Sequence, residues 1–260
     1  MISKLLSMFR HSVFFIFIML TLASATRAQR LQNAHGFSQT YPGSIAVGVV
    51  AGPNFNFGSG GPAAECDCIF NGGSDIGYHA GLHLDIMVNQ WFGIRLQGLY
   101  EDHSTVYVKD FAGSTFGDDG APALVNMQRR SEVGLNYFGT SFMVTWFTGP
   151  DGLYLLAGAG AGFFIDGTIL DEEYIVSPGY VYPQTGSSKT VFADEALDAN
   201  NDPTLRAGLI LGLGYDMPLA RGITVAPEIQ FDYPLTSVVD SNADWSIPTL
   251  RASVALRFGI

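Results

Sequence analysis

The chain has 260 residues, 47% of them hydrophobic and only 14% charged, which is enough apolar side chain for an ordered core. The formal net charge of −11 excludes nucleic acid as an expected partner. The 31 glycines and 12 prolines suit closely packed strands and tight turns better than a helical bundle.

The N-terminus has the layout of a secretory signal peptide. Lys4 and Arg10 precede an apolar run of roughly ten residues, and small residues follow at Ala23-Ser24-Ala25. A membrane-spanning helix needs about 20 apolar residues, so we expect cleavage after Ala25 or after Ala28, with a retained anchor as the alternative. Export predicts a periplasmic, secreted or outer-membrane destination.

Eight segments alternate apolar and polar residues with a period of two, which indicates strands with two chemically different faces. In residues 249–260, for example, apolar side chains stand at every second position, with Arg251 and Arg257 between them. The parity of the fourth strand changes along its length, so we predict a bulge near residues 138–141. The predicted strands cover residues 45–57, 76–86, 92–101, 132–147, 153–166, 205–216, 223–233 and 249–260.

The connections between these strands alternate between long and short. Up-and-down barrels of the outer membrane have short periplasmic turns and longer outer loops in this alternation. A soluble barrel is the alternative, but its polar face of charges and glycines would have to meet water and its apolar face would have to fill the interior. We therefore predict an all-β fold, an eight-stranded antiparallel up-and-down transmembrane β-barrel over residues 43–260. The predicted long connections are 58–75, 104–131, 167–203 and 236–247, and the short ones are 88–90, 148–151 and 217–222.

The polar face of such a barrel places charged side chains inside. Opposite charges buried in a narrow lumen should pair across neighbouring strands, so we expect Glu228 and Asp232 to pair with Arg251 and Arg257, with Arg206 also within reach. An eight-stranded barrel is just wide enough for its side chains to fill, which predicts a plugged interior; a narrow ion path is the alternative. The predicted interior charge network consists of Arg95, Arg206, Arg251, Arg257, Asp85, Glu101, Glu228 and Asp232.

In architecture, nearly the whole of residues 43–260 resembles the small outer-membrane β-barrel proteins of the OmpA/OmpX-like and PorT-like kind. The resemblance implies a location in the cell outer membrane, contact with its lipid, and insertion by the barrel-assembly machinery. In that family an aromatic residue in the last strand serves as the assembly signal. Phe258 matches that role by parity, although Gly259 and Ile260 follow it. Residues 26–42 are then a short periplasmic segment between the signal peptide of residues 1–25 and the barrel.

Some barrels of this size modify lipid A, which makes an enzyme one alternative to a structural role. The nearest candidate is Glu101-Asp102-His103-Ser104, but neighbouring strand residues point to opposite faces, so His103 and Ser104 should not meet. His79 and His83 point inward, where metal binding competes with ordinary hydrogen bonding. No motif indicates a cofactor.

The connection 167–203 is long, acidic and rich in tyrosine, so we expect it to meet an extracellular ligand or a divalent cation. Asp198–Asp202 matches the first three oxygen positions of an EF-hand loop, but Pro203 and Leu209 break the motif. Cys66 and Cys68 in the first outer connection would need further ligands to hold a metal. The sequence thus predicts a non-enzymatic outer-membrane protein with a structural or surface-interaction role, with a small transport pore as the alternative.

Overall fold

The computed structural model describes residues 43–61, 70, 72–116, 122–149, 152–197, 205–238 and 245–260. The predicted signal peptide of residues 1–25, the segment 26–42, both cysteines and the EF-hand-like stretch 198–202 lie outside the described residues. Within the described part of the chain, no helix is long and apolar enough to cross a membrane.

The described residues form a single antiparallel sheet of eleven strands. The strands are β1 (Ile45–Gly58), β2 (Gly73–Met87), β3 (Phe92–Asp102), β4 (Thr105–Phe116), β5 (Pro122–Phe147), β6 (Leu153–Ile175), β7 (Lys189–Leu197), β8 (Leu205–Tyr215), β9 (Met217–Ala220), β10 (Ile223–Pro234) and β11 (Thr249–Gly259).

Eight of these strands close into a ring, which confirms the predicted barrel. Going around the ring, the order is β1, β2, β3, β5, β6, β8, β10 and β11. The ring closes where β11 pairs with β1, with Val49 opposite Leu256 and Val47 opposite Phe258. Closure leaves no bare sheet edge in the barrel wall.

The two longest predicted loops are largely β-structure. β4 continues β3 along β5 in one register, since Asp102 pairs with Asn136 and Thr105 with Val133. β6 runs on to Ile175 and pairs there with β7. One side of the barrel wall therefore rises well above the other. The outer extension, as we name it, comprises β4, residues 122–135 of β5, residues 166–175 of β6, the turn 176–188 and β7.

The bulge predicted near residues 138–141 is wrong, because β5 keeps one parity from end to end. The register shift lies one strand away: Asn136 pairs with Asp166 but Tyr137 with Phe164, so Ile165 of β6 is the extra residue. The same positions of β5 face inward throughout, but the apolar residues move from the inward to the outward positions where the strand enters the barrel wall, because the outward side there meets lipid. Phe142 faces outward in the barrel wall, whereas Val133 faces inward above it.

Three clusters of buried apolar residues lie along the barrel axis. One fills the middle of the lumen, and one closes the end that carries the long connections, which we call the mouth. The third lies within the outer extension, where Val125, Met127 and Ile175 pack with Phe111 and Tyr182. The extension therefore has a small core of its own.

Candidate functional site

Two groups of charged side chains occupy the lumen. The turn-side cluster lies toward the short turns and the mouth-side cluster toward the mouth. The turn-side cluster contains Asp85, Arg95, Tyr154, Asp216, Glu228 and Arg257, and the mouth-side cluster contains Glu101, Arg206, Asp232 and Arg251.

Arg95 connects opposite walls of the barrel in the turn-side cluster. Its Nε donates to Oδ1 of Asp85 on the neighbouring strand at 2.6 Å, and its Nη1 donates to Oε1 of Glu228 at 2.8 Å. Arg95 is on β3 and Glu228 on β10, which stand four places apart in the ring of eight. This ion pair therefore spans the lumen.

Arg257 lies on the closing strand β11 and adds further links. Its Nη2 donates to Oε1 of Glu228 at 2.6 Å and to the Tyr154 hydroxyl, and its Nη1 donates to Asp216. The Tyr154 hydroxyl donates in turn to Glu228 at 2.5 Å. Glu228, with a fully buried side chain, thus accepts hydrogen bonds from two guanidinium groups and a phenol, which offsets the cost of burying its charge.

The mouth-side cluster is built in the same way from four side chains. Arg251 Nη2 lies 2.6 Å from Oε1 of Glu101 and 2.5 Å from Oδ2 of Asp232. Arg206 Nη1 donates to the same Asp232 oxygen at 2.7 Å. All eight residues of the predicted charge network thus lie in the lumen with a partner of opposite charge.

Buried side chains of both kinds lie between the two clusters: polar Gln97, Gln230 and Ser253, and a group of apolar residues. The apolar residues are Val50, Leu99, Met143, Leu156 and Ile210, each at most 4% exposed. The cavity beside the mouth-side cluster measures about 20 Å³, room for roughly one water molecule. The geometry of the described lumen is that of a filled barrel.

Glycines on the lumen face give the large side chains room. A Cβ atom added at Gly214 would lie 2.3 Å from Cζ of Tyr154, and one at Gly48 would lie 2.3 Å from Nε2 of His83. Both distances are far below van der Waals contact, so only glycine fits there.

Of the two inward histidines, His79 is hydrogen-bonded, whereas both ring nitrogens of His83 lack a hydrogen-bond partner within the described residues. His79 Nδ1 lies 2.7 Å from Oδ1 of Asn54, and His83 Nε2 lies 3.4 Å from Oδ2 of Asp85. The described residues contain no group of three or more His, Cys, Asp or Glu side chains placed to hold a metal ion.

His103 and Ser104 point to different surroundings, as strand geometry requires. Ser104 donates to Asp102, whereas His103 is buried, with its Nδ1 3.0 Å from Oγ1 of Thr249. Arg206 Nη1 lies 3.2 Å from the other ring nitrogen, Nε2. Because an arginine can only donate, this contact favours the tautomer in which Nε2 accepts and Nδ1 carries the proton.

The inner face of the outer extension combines an apolar core with buried charged side chains, and its outer face carries ion pairs. The turn 176–188 folds back over the inner face, where Tyr182 donates to Glu173 at 2.7 Å and Thr115 donates to the carbonyl of Val181 at 3.4 Å. Also on this face, Arg129 bonds Asp171 and its guanidinium lies 4.8 Å from the Phe192 ring centre.

The described part of the outer face carries two ion pairs. Lys189 Nζ lies 2.5 Å from Oε1 of Glu172, which also accepts from the Tyr174 hydroxyl. These two hydrogen bonds lower the pKa of Glu172. Arg130 pairs with Glu132 at 2.6 Å on the same face. In total, the extension holds eight acidic and four basic side chains, a net charge of −4.

Sequence reasoning missed several participants in these sites. Asp216 and Tyr154 belong to the turn-side cluster but are absent from the predicted charge network. For Asp216 the signal was available, since it continues the inward parity of β8. For Tyr154 it was weak, because a tyrosine at a strand end also fits an interfacial aromatic.

Comparison with known proteins identifies the class. The family model described as outer membrane protein beta-barrel domain matches residues 37–240, which is most of the chain. The chain therefore belongs to this family of outer-membrane β-barrel proteins of the Gram-negative envelope, and its location is the cell outer membrane. The apolar outer face of the ring lies against the lipid of that membrane. Among curated proteins, none matches the chain.

Solved structures with a similar trace are small barrels. Ail of Yersinia pestis, crystallised with the heparin analogue sucrose octasulfate, is 12% identical with a TM-score of 0.36 over 82% of this chain and 99% of its own. OprG of Pseudomonas aeruginosa is 9% identical with a TM-score of 0.37 over 85% and 98%. The protease OmpT of Escherichia coli is 8% identical with a TM-score of 0.34 over 86% and 100%. The family assignment depends on the family model and not on these likenesses.

Proposed function

We propose that this protein is a non-enzymatic surface-interaction protein: a plugged barrel holds the outer extension above the membrane, where the extension contacts a partner. The observation that carries this proposal is the extension itself. It adds four strand segments and a separate core to a barrel that is already closed without them.

The filled lumen supports an anchoring role over transport. Charged side chains bridge the walls at two levels, and tightly packed buried side chains fill the space between them. An ion would have to displace both, at the cost of leaving buried charges unpaired.

The protonation of His103 supports the non-enzymatic role. Thr249, His103 and Glu101 follow one another in space in the order of a nucleophile, a base and an orienting acid. With its proton on Nδ1, however, His103 cannot accept a proton from Thr249, and the Thr249 side chain is fully buried. The three side chains instead help to fill the mouth.

Shortening the extension tests the interaction role. Val108 and Arg130 are cross-strand partners, as are Leu170 and Asp194. Joining each pair through Asn-Gly makes two tight hairpins and removes most of the extension while keeping the whole ring. Bacteria displaying the full chain should adhere to a surface coated with fibronectin, collagen and laminin, and those displaying the shortened chain should not.

Heat-modifiable migration on gels checks that both proteins fold in the outer membrane. With folding intact, equal adhesion of the two proteins, or adhesion of neither, would overturn the interaction role.

Conductance in planar bilayers tests the plug separately. The full chain should give no large, stable openings, whereas the double variant Arg95→Ala with Arg251→Ala, which removes a cation from each cluster, should give a measurable increase. Large, stable openings by the unmodified protein would favour a pore.

The proposal extends to biogenesis. Residues 1–25 direct export, residues 26–42 remain as a short periplasmic segment, and Phe258 serves as the assembly signal. In support, Phe258 is exposed on the lipid face of the closing strand, between Val47 and Ile223. Phe258→Ala should lower the amount of folded barrel in isolated outer membranes, whereas the neighbouring change Gly259→Ala should leave it unchanged.

A further inference from the structure

The end of the outer extension that lies farthest from the barrel carries an exposed apolar patch on its outer face. Phe116 is 58% exposed, Leu124 80% and Val176 58%. Phe116 pairs with Pro122 and Ser114 pairs with Leu124, so the Phe116 and Leu124 side chains are diagonal neighbours on one face of the sheet. The tip patch, as we name it, consists of Ala112, Ser114, Phe116, Pro122, Leu124, Asn126 and Val176, all of them exposed.

The tip patch contains no charged side chain, although the chain as a whole has a formal net charge of −11. Val176 joins the patch through its N–H, which donates to the carbonyl of Asn126 at 2.8 Å. The charges of the outer face begin at the next outward residue pair, where Asp110 accepts from the Gln128 side chain at 2.8 Å. Two copies of the patch can therefore meet without like-charge repulsion inside the contact.

The tip patch faces sideways, along the membrane plane. On β5, Leu124 has the same parity as Phe142, which faces lipid in the barrel wall. The outer face of the extension is therefore continuous with the lipid-facing wall below it. A neighbouring barrel in the same membrane has the same orientation and holds its own patch at the same height. A twofold axis normal to the membrane then places the two tip patches opposite each other.

The size of the patch also favours a second copy over a soluble partner. Three large apolar side chains cover much less than the roughly 800 Å² that each partner of a stable complex in solution buries. Two copies in one membrane meet with a fixed orientation and at a raised effective concentration, so that a smaller contact is sufficient.

From this arrangement we infer that the protein associates with a second copy of itself in the same membrane, through a symmetric contact between two tip patches. Leu124 lies on β5, between Phe116 on β4 and Val176 at the end of β6, so the Leu124 side chains of the two copies lie nearest the twofold axis. The inference is independent of the partner proposed for the outer extension, because it concerns only copies of this chain.

Charge variants at Leu124 test the symmetric contact. The full chain is labelled at its N-terminal amine with a donor or an acceptor dye, and energy transfer is measured in phosphatidylcholine vesicles of increasing lipid content. Leu124→Glu and Leu124→Lys each place like charges opposite each other, and each alone should weaken association at least about tenfold. An equal mixture of the two variants places opposite charges across the axis and should restore the energy transfer.

Thr185→Glu is the matched control, because Thr185 is exposed in the turn 176–188 and lies outside the patch. This change should leave the energy transfer as it is in the unmodified protein. Heat-modifiable migration on gels checks that every variant folds, which we expect because Leu124 is exposed.

The dyes are placed both together in the same vesicles and apart in separate vesicles. Transfer only between separate vesicles would show association across two membranes and would overturn side-by-side pairing. So would transfer no greater than that of freely mixing barrels, an equal loss in Thr185→Glu, or no recovery in the mixture of charge variants. Adhesion of the shortened chain tests the interaction role separately, so either proposal can fail alone.

Discussion

The barrel wall and the outer extension share strand β5, whose two parts have opposite polarity. In the wall, β5 points Phe142 and Trp146 outward and Thr145 inward. In the extension, the same strand with the same parity points Met127 inward and Gln128 outward. The environment explains the inversion, because lipid surrounds the wall and water surrounds the extension. A single uninterrupted strand is thus suited to lipid along one part of its length and to water along the other.

Breaking the charged lumen should give the largest effect. Arg257→Leu leaves Glu228 with fewer donors and Asp216 without this guanidinium. Removing one partner of a buried ion pair costs about 3–5 kcal/mol, so the free energy of unfolding measured in urea from lipid vesicles should fall by about that amount.

The exposed Arg221, in the turn between β9 and β10, provides the matched control: Arg221→Leu should stay within about 0.5 kcal/mol of the unmodified protein. Combining Arg257→Leu with Glu228→Gln should recover part of the loss, because the excess of acids over arginines in the turn-side cluster then returns to its original value. Equal stability of Arg257→Leu and Arg221→Leu would show that the lumen network is not a source of stability.

A charge placed on the lipid face should have the next largest effect. Leu211, near the middle of β8, is 62% exposed on that face. Arginine at the bilayer midplane of a barrel costs about 2–4 kcal/mol, so Leu211→Arg should lower the free energy of unfolding by that amount. The same change at Thr168, which is exposed on the outer face of the extension, should cost little, and similar costs at the two sites would refute the inversion of polarity.

The smallest effect concerns the pH dependence of the extension. Lys189 and Tyr174 hold the pKa of Glu172 below its usual value. Their stabilising contribution is therefore complete above the ordinary glutamate pKa of about 4.3 and is lost as the pH falls through the lowered folded value. Carboxyl-carbon NMR titration should give a Glu172 midpoint below about 4.3, and Lys189→Gln should raise it; an unchanged midpoint would refute this contact.

Sequence reasoning predicted the eight-stranded ring because alternation with period two is strong wherever one face meets lipid. It predicted the positions of Arg95, Glu228 and the other lumen charges for the same reason. The physical basis is simple: parity alone decides which side of a barrel wall a residue occupies.

The outer extension could not be predicted in this way. β4 and β7 carry mixed residues on both faces, and above the membrane the apolar parity of β5 reverses, which imitates a bulge. The partner choices inside the lumen also depend on distance across the barrel. The pair Arg95 and Glu228 joins opposite walls, so sequence neighbourhood favoured Arg257 and Arg251 as partners of the β10 acids and gave no sign of Arg95.

Site-directed spin labelling along β5 tests the inversion most directly. Labels at Gln128, Glu132, Phe142 and Trp146, all of one parity, report whether each position meets water or lipid through collisions with a nickel chelate or with oxygen. The structure predicts nickel access at Gln128 and Glu132 and oxygen access at Phe142 and Trp146. Lipid access at Gln128, or water access at Phe142, would contradict a strand that leaves the membrane without changing parity.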